Sequence, residues 1–343
     1  MRRLRILTWH IHGSYLYYLA HLPHDFILPV APGGAEGYAG RTASFPWPSN
    51  VYEVPKAQIK DTALDGIIFQ SKRHYLHDQY EILSERQLRL PRIYLEHDPP
   101  RGHPTDTLHP VQDENILLVH CTHFNRLMWD NGITPSTVIE HGVTIPLGAR
   151  YTGRLPRGIV VVNNLKSRGR RLGADIYAQL RTEVPLDLIG MGSSEVEGGL
   201  GEVPPREVPA FIGEYRLFFN PIRYTSLGLA ILEAMMVGLP IIGLKTTELA
   251  SVIENGVSGY LALNPRELVD PMLALLSHPE EARRLGEAAR QVARTRYGID
   301  RFVKDWCAVL ADALGGRSMS SVRATAQPSL NSTKISTRAQ VVL

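Results

Sequence analysis

The chain has 343 residues, 44% hydrophobic and 21% charged, an ordinary globular composition and enough length for two domains. Its formal charge of +3 falls to near −1 once Arg317, Arg323, Lys334 and Arg338 of the acid-free C-terminal stretch are set aside, so the body offers no concentrated basic surface for nucleic acid. Two cysteines, Cys121 and Cys307, exclude a disulfide framework and a zinc-type cysteine pairing and fit a reducing, cytoplasmic setting.

The opening Met1-Arg-Arg-Leu-Arg-Ile-Leu-Thr-Trp puts positive charge before an apolar stretch too short for a signal-peptide core, and it reads as the start of a strand. Further strands are expected at Phe26–Val30, Gly66–Gln70, Arg92–Glu96, Ile116–Cys121 and Thr137–Glu140, after a first at Arg5–Trp9. Short apolar runs alternating with helical patterns predict a parallel sheet covered on both faces. Most runs end at His, Gly, Asp or Asn, where the chain would leave the sheet's carboxyl edge, the edge that binds ligands in open α/β sheets. Residues 146–157, rich in Gly and Pro, read as a linker between a first half over 1–145 and a second over 158–299. The second series of strands is expected at Ile159–Asn163, Leu186–Ile189, Tyr215–Asn220, Pro240–Leu244 and Gly259–Leu263. Pro279–Tyr297 is a charged helical stretch, and residues 300–314 carry apolar positions at helical spacing and are expected to pack back on the first half. From Gly315 onward the chain reads as a disordered tail, and its Asn331-Ser-Thr glycosylation triplet carries little weight without a secretory signal. The longest weakly charged run, Leu227–Leu244, is broken by Glu233, Gly238 and Pro240, which argues against a membrane span and leaves only peripheral association with a membrane surface open.

The segment Asn220–Leu244 carries the most chemistry. A strand ends at Asn220, a loop holds Thr225, Ser226 and Gly228, and a helix runs to Val237 before Pro240 opens the next strand. Unpaired N–H groups at that helix start suit phosphate. Glu233 is the single charged residue between Leu227 and Leu244, and a carboxylate in such surroundings needs a partner. Two adjacent ribose hydroxyls would serve; so would a nearby backbone or basic group. The basic run Lys166, Arg168, Arg170 and Arg171 follows a buried strand at the cleft edge, where Arg engages phosphate oxygens bidentately, although such a run also suits a solvated face. Thirteen histidines raise the question of a metal, but none pairs at i, i+4 spacing beside an acid, and no metal site is expected. Cys121 reads as a small buried hydrophobe rather than a nucleophile. The first strand–helix turn lacks Gly-x-Gly-x-x-Gly, which disfavours a nicotinamide-dependent dehydrogenase.

Asn220-Pro-Ile-Arg-Tyr-Thr-Ser-Leu-Gly-Leu-Ala-Ile-Leu-Glu-Ala-Met-Met-Val-Gly-Leu-Pro-Ile-Ile resembles the second-half motif of glycosyltransferase family 4, the retaining enzymes of the GT-B fold. Glu248–Leu261 and His141-Gly-Val are similar to further stretches of that family. The resemblance implies two Rossmann-like domains facing each other across a cleft, and transfer of a sugar from a nucleoside diphosphate to a glycan or lipid-linked acceptor, without cofactor or metal. It assigns Glu233 to the donor ribose and Ser226, Leu227, Gly228 and Leu229 to the diphosphate and sugar. Thr225 falls where the family has a glutamate that contacts sugar hydroxyls. Arg168 sits at the family's Lys and Asn164 at its Arg, with Lys166 a substitute, and Lys166 and Arg168 would neutralise the leaving diphosphate. Gly192 and Val203 match loops that pass the phosphates and the base, Gly13 resembles the glycine loop that approaches the phosphates, and His97 resembles the cleft histidine beside the reacting sugar. Two other functions stay open on the same residues. Thr225 motivates a nucleotide-sugar-binding protein with weakened turnover, and the shared architecture admits a sugar-nucleotide epimerase.

Overall fold

The computed structural model describes residues 2–314; the stretch from Gly315 onward, expected to be a disordered tail, lies outside the described residues. Two parallel sheets form the frame. The first holds β1 (Arg5–Thr8), β2 (Asp25–Val30), β3 (Val51–Pro55), β4 (Gly66–Phe69), β5 (Arg92–Glu96), β6 (Ile116–His120) and β7 (Ser136–Val138) in the order β3-β2-β1-β4-β5-β6-β7. The second holds β8 (Leu155–Val161), β9 (Leu186–Ile189), β10 (Tyr215–Asn220), β11 (Ile241–Leu244) and β12 (Gly259–Ala262) in the order β12-β11-β10-β8-β9. Strands β4, β6, β9, β10 and β11 are buried at every position, because helices cover both faces of each sheet.

The order of strands reverses between β1 and β4 in the first sheet and between β8 and β10 in the second. Adjacent crossovers there run to opposite faces and open a crevice at the carboxyl edge. The chain leaves β8 at Val162-Asn163-Asn164 and β10 at Pro221, and leaves β1 at Trp9-His10, so the residues singled out in the sequence gather at the switch points.

The clearest departures from the sequence reading are at β3, β8 and β7. β3 was not expected: its Val51-Tyr-Glu-Val-Pro is short, lies at the sheet edge and is largely exposed, so its pattern carries little apolar signal. β8 begins at Leu155, inside the stretch read as linker. Its register against β10 shifts by one residue between Leu155 and Gly158, a bulge that accommodates Pro156, which has no N–H to give the ladder. At β7 the strand covers Ser136–Val138, ending before Glu140.

A continuous apolar core runs through both halves and includes Leu16, Tyr18, Val143, Leu227, Ile231 and Trp306. The helix Ile299–Leu314 lies on the first half, where the Trp306 indole N–H donates to the Tyr15 hydroxyl at 3.2 Å. Gly142 gives that helix its seat: a side chain there would overlap the Phe302 ring.

Candidate functional site

A cavity of about 640 Å³ opens between the two halves. The second half contributes Asn163, Gly190, Val203, Gly228, Leu229 and Glu233 to its wall, and the first half contributes Ser14, Tyr17, Tyr18 and His21. Gly228, Leu229 and Glu233 come from one element. The helix Leu229–Val237 starts at Gly228 with no side-chain cap, so its first-turn N–H groups meet the cavity edge without a side-chain acceptor. Glu233 lies one turn further along, half-buried.

The partner that Glu233 required is a phenol from the other half. Tyr18 Oη donates to Glu233 Oε1 at 2.6 Å. Burial pushes the Glu233 carboxyl up from 4.5 to about 7, and the Tyr18 hydrogen bond pulls the other way. Burial likewise raises the Tyr18 phenol well above its ordinary value, with Glu233 adding to it, so the phenol keeps its proton and acts as donor.

The loops after β8 and β9 are built against each other. Asn164 adopts a left-handed backbone at φ 55° and donates its N–H to Met191 O at 2.6 Å, while Asn163 Oδ1 accepts from Met191 N at 2.9 Å. Gly190, at φ 127°, faces Asn163 Oδ1 and Val162 O so closely that an added Cβ would sit 2.8 Å from each. Gly192 is also left-handed, at φ 68°. The two cations sought for a diphosphate have different settings. Lys166 is exposed and forms a 3.6 Å ion pair with equally exposed Glu195, a contact of small energetic weight. Arg168 is half-buried; burial and neighbouring Arg171 lower its pKa, and Asp98 of the first half opposes them.

Thr225, Ser226 and Leu227 do not line the cavity, and Ser226 lies in the seam between the halves. Ser226 Oγ accepts from Asn125 Nδ2 at 3.2 Å, and Asn125 Nδ2 also donates to His97 O at 3.0 Å, so one amide joins the Ser226 loop to the His97 strand end. Beside it the Tyr224 hydroxyl donates to Pro100 O at 3.0 Å. His97 is fixed by internal bonds. The Gln70 amide nitrogen donates to Thr8 Oγ1 and Trp9 O, which turns Gln70 Oε1 towards His97 Nε2 at 2.9 Å. Nε2 therefore carries the proton and donates, and Nδ1 accepts from the Cys121 thiol at 3.6 Å. Burial holds the His97 pKa well below 6.5, with His12 and His141 adding to it, and burial raises the Cys121 thiol, so the pair is neutral. At Gly13 the missing side chain makes room for Phe45, whose ring atom would lie 2.8 Å from an added Cβ.

An ion cluster fastens the halves beside this seam. Arg296 lies 2.5 Å from Glu140 and 3.3 Å from Glu248, and Glu248 accepts from the Phe124 N–H at 2.7 Å. Among the described residues no group of three or more His, Cys, Asp or Glu is arranged to hold a metal, and no helix is long and apolar enough to cross a membrane. Sequence reasoning missed Tyr18, Asn163, Gln70 and Asn125. The run Tyr15-Leu-Tyr-Tyr18 directly after the glycine turn was the available signal for the first, since helical spacing puts polar-tipped rings on the face towards the cleft.

Residues 199–292 match the family model described as glycosyl transferases group 1. The chain is 31% identical over 114 residues to the trehalose synthase of Pyrococcus horikoshii, covering 33% of this chain and 27% of that protein. It is 32% identical over 91 residues to the N-acetyl-alpha-D-glucosaminyl L-malate synthase of Bacillus anthracis, covering 26% and 24%. The chain thus spans about a quarter of the length of these curated relatives. Among solved structures, Anabaena HepE in complex with UDP superposes with a TM-score of 0.66 at 15% identity over 91% of this chain and 100% of that one. Sucrose-phosphate synthase from Thermosynechococcus elongatus gives 0.64 at 16% identity over 92% and 100%. The fold is therefore GT-B, two facing doubly wound sheets.

Proposed function

We propose that this protein transfers a sugar from a nucleoside diphosphate to an acceptor hydroxyl with retention at the anomeric carbon, without a metal ion. The observation that carries the reading is the half-buried Glu233 carboxylate one turn inside an uncapped helix start, on the wall of a cavity between the halves, in the segment that matches glycosyl transferases group 1. A carboxylate accepts from ribose hydroxyls, and an uncapped helix N-terminus donates to phosphate oxygens. Solved GT-B neighbours carry UDP or UDP-glucose, which supports a uridine nucleotide as the first donor to try.

The catalytic work is electrostatic on this reading. As the nucleotide departs, charge grows on the diphosphate, and the backbone amides of Ser226, Leu227, Gly228 and Leu229 with Arg168 and Lys166 stabilise it. Asn164, Gly192 and Gly13 shape the phosphate approach, Val203 lies along the base, Thr225 meets the sugar hydroxyls, and His97, its two ring nitrogens hydrogen-bonded to Gln70 and Cys121, fixes the strand end that faces the sugar. The domain division at 146–157 separates an acceptor half from a donor half, and the acceptor is a glycan or lipid-linked precursor, with the protein in the cytoplasm or resting on a membrane surface. A thermal-shift panel of nucleoside diphosphates and their sugars tests the reading, since a ligand at 100 times its Kd adds about 2.7 kcal/mol of stability. Donor turnover that releases the nucleoside diphosphate separates a transferase from a binding protein; no shift with any nucleotide refutes both.

A further inference from the structure

Glu233 has two carboxylate oxygens, and one is already in use. Tyr18 donates to Oε1 at 2.6 Å while only 4% exposed, on a helix, Gly13–Leu19, whose Tyr15, Leu16 and Leu19 are also buried. The ring is hemmed in further by Tyr17, its centroid 5.5 Å away, and the hydroxyl oxygen lies 3.3 Å from Thr144 O. Burial and the Tyr18 phenol are the two influences on the Glu233 carboxyl; no cation contributes. Expelling the phenol would leave a buried hydroxyl without its strongest acceptor, a penalty comparable to the ribose hydrogen bond that would replace it. A ligand gains little from taking that place. Oε2, in contrast, has no hydrogen-bond or ion-pair partner among the described residues, and Glu233 lines the cavity.

We infer that Tyr18 is a positioning residue for nucleotide recognition: it keeps Oε1 of Glu233 in the free and the occupied protein, so that the ribose is read through Oε2 by one of its two hydroxyls. This rests on the reading that Glu233 receives the ribose. Because the phenol belongs to the first half and the carboxylate to the second, nucleotide recognition is tied to how the halves are seated, with no contact between nucleotide and Tyr18 required.

The test is calorimetric titration of the full chain with UDP, GDP and ADP, then with the 2′-deoxy and 3′-deoxy forms of whichever binds, repeated on Tyr18→Phe. In the wild type, one deoxy analogue should bind within about twofold of its parent and the other about tenfold or more weaker, the size of one hydrogen bond to a charged acceptor. In Tyr18→Phe, which keeps the ring and frees Oε1, both analogues should fall about tenfold or more below that variant's own parent nucleotide. A purely structural tyrosine would change all affinities together and leave this discrimination as it was. Equal losses for the two analogues in the wild type, or an unchanged pattern in Tyr18→Phe, overturn the inference. The underlying reading fails separately: it falls if none of the three nucleotides binds, or if the parent binds equally well to a folded Glu233→Gln.

Discussion

Lowering the pH below neutrality should weaken nucleotide-sugar binding through Glu233. Burial raises this carboxyl to about 7, and the ionised form is the stronger acceptor for ribose hydroxyls because it is charged and both its oxygens accept. Above about pH 7 the carboxylate is ready and affinity should be flat. Below that, binding to the carboxylate form requires loss of a proton, so affinity should fall by up to about 1.4 kcal/mol, or about tenfold in Kd, per pH unit. Folding stability responds with the opposite slope. Between about 4.5 and 7 the folded protein holds a proton at Glu233 that the unfolded chain has lost, so this residue's contribution declines as pH rises through that window and is constant above it. Titration calorimetry from pH 5.5 to 8 with a UDP-sugar is the assay, because a diphosphate esterified at both ends lacks the terminal ionisation near pH 6 that would confuse a UDP titration. His21 and Arg206 share the cavity wall, and Glu233→Gln, which leaves both in place, should remove the part of the pH dependence that Glu233 carries. A wild-type affinity that does not vary across this range, or one that varies identically in Glu233→Gln, refutes the argument.

On the proposed reading, His97→Ala should reduce kcat on the order of 10²-fold with nucleotide affinity nearly unchanged, since it removes the ring that bridges Gln70 and Cys121 and so lets the strand end facing the sugar shift, lowering kcat and kcat/KM together; steady-state kinetics and nucleotide titration check it. Thr225→Ala should alter the preference among donor sugars more than the affinity for bare nucleotide, as competing UDP-sugars would reveal. Arg296→Met removes the cation shared by Glu140 and Glu248 and leaves a buried carboxylate beside the seam, so stability should fall by about 3 kcal/mol and the melting temperature by several degrees in a thermal scan. If Lys166 and Arg168 act on the departing diphosphate as proposed, turnover should survive excess EDTA; activity lost to EDTA and restored by magnesium contradicts this.

The second half was the more legible of the two because its strands are buried on both faces and read as uninterrupted apolar runs, as at Tyr215–Asn220 and Ile241–Leu244. The isolated carboxylate at Glu233 announced a buried charge in need of a partner for the same reason. Its partner was hidden: Tyr18 lies 215 positions away, and no local pattern in either segment encodes which aromatic of a cleft helix meets which acid. β3 escaped because an exposed edge strand need not be apolar, and the start of β8 because Pro156 reads as a turn unless the bulge between the Leu155–Tyr215 and Gly158–Leu217 pairs is known. His97 could be picked out as a strand-end histidine, yet its tautomer depends on Gln70 and Cys121, two residues with no sequence signature of their own.

The most direct test of the account is calorimetric titration of a nucleoside diphosphate into the wild type and Glu233→Ala. Loss of the carboxylate should weaken binding by roughly 1–3 kcal/mol, the range for hydrogen bonds to a charged acceptor. Unchanged affinity in a folded Glu233→Ala protein would contradict it and remove the nucleotide from this cavity.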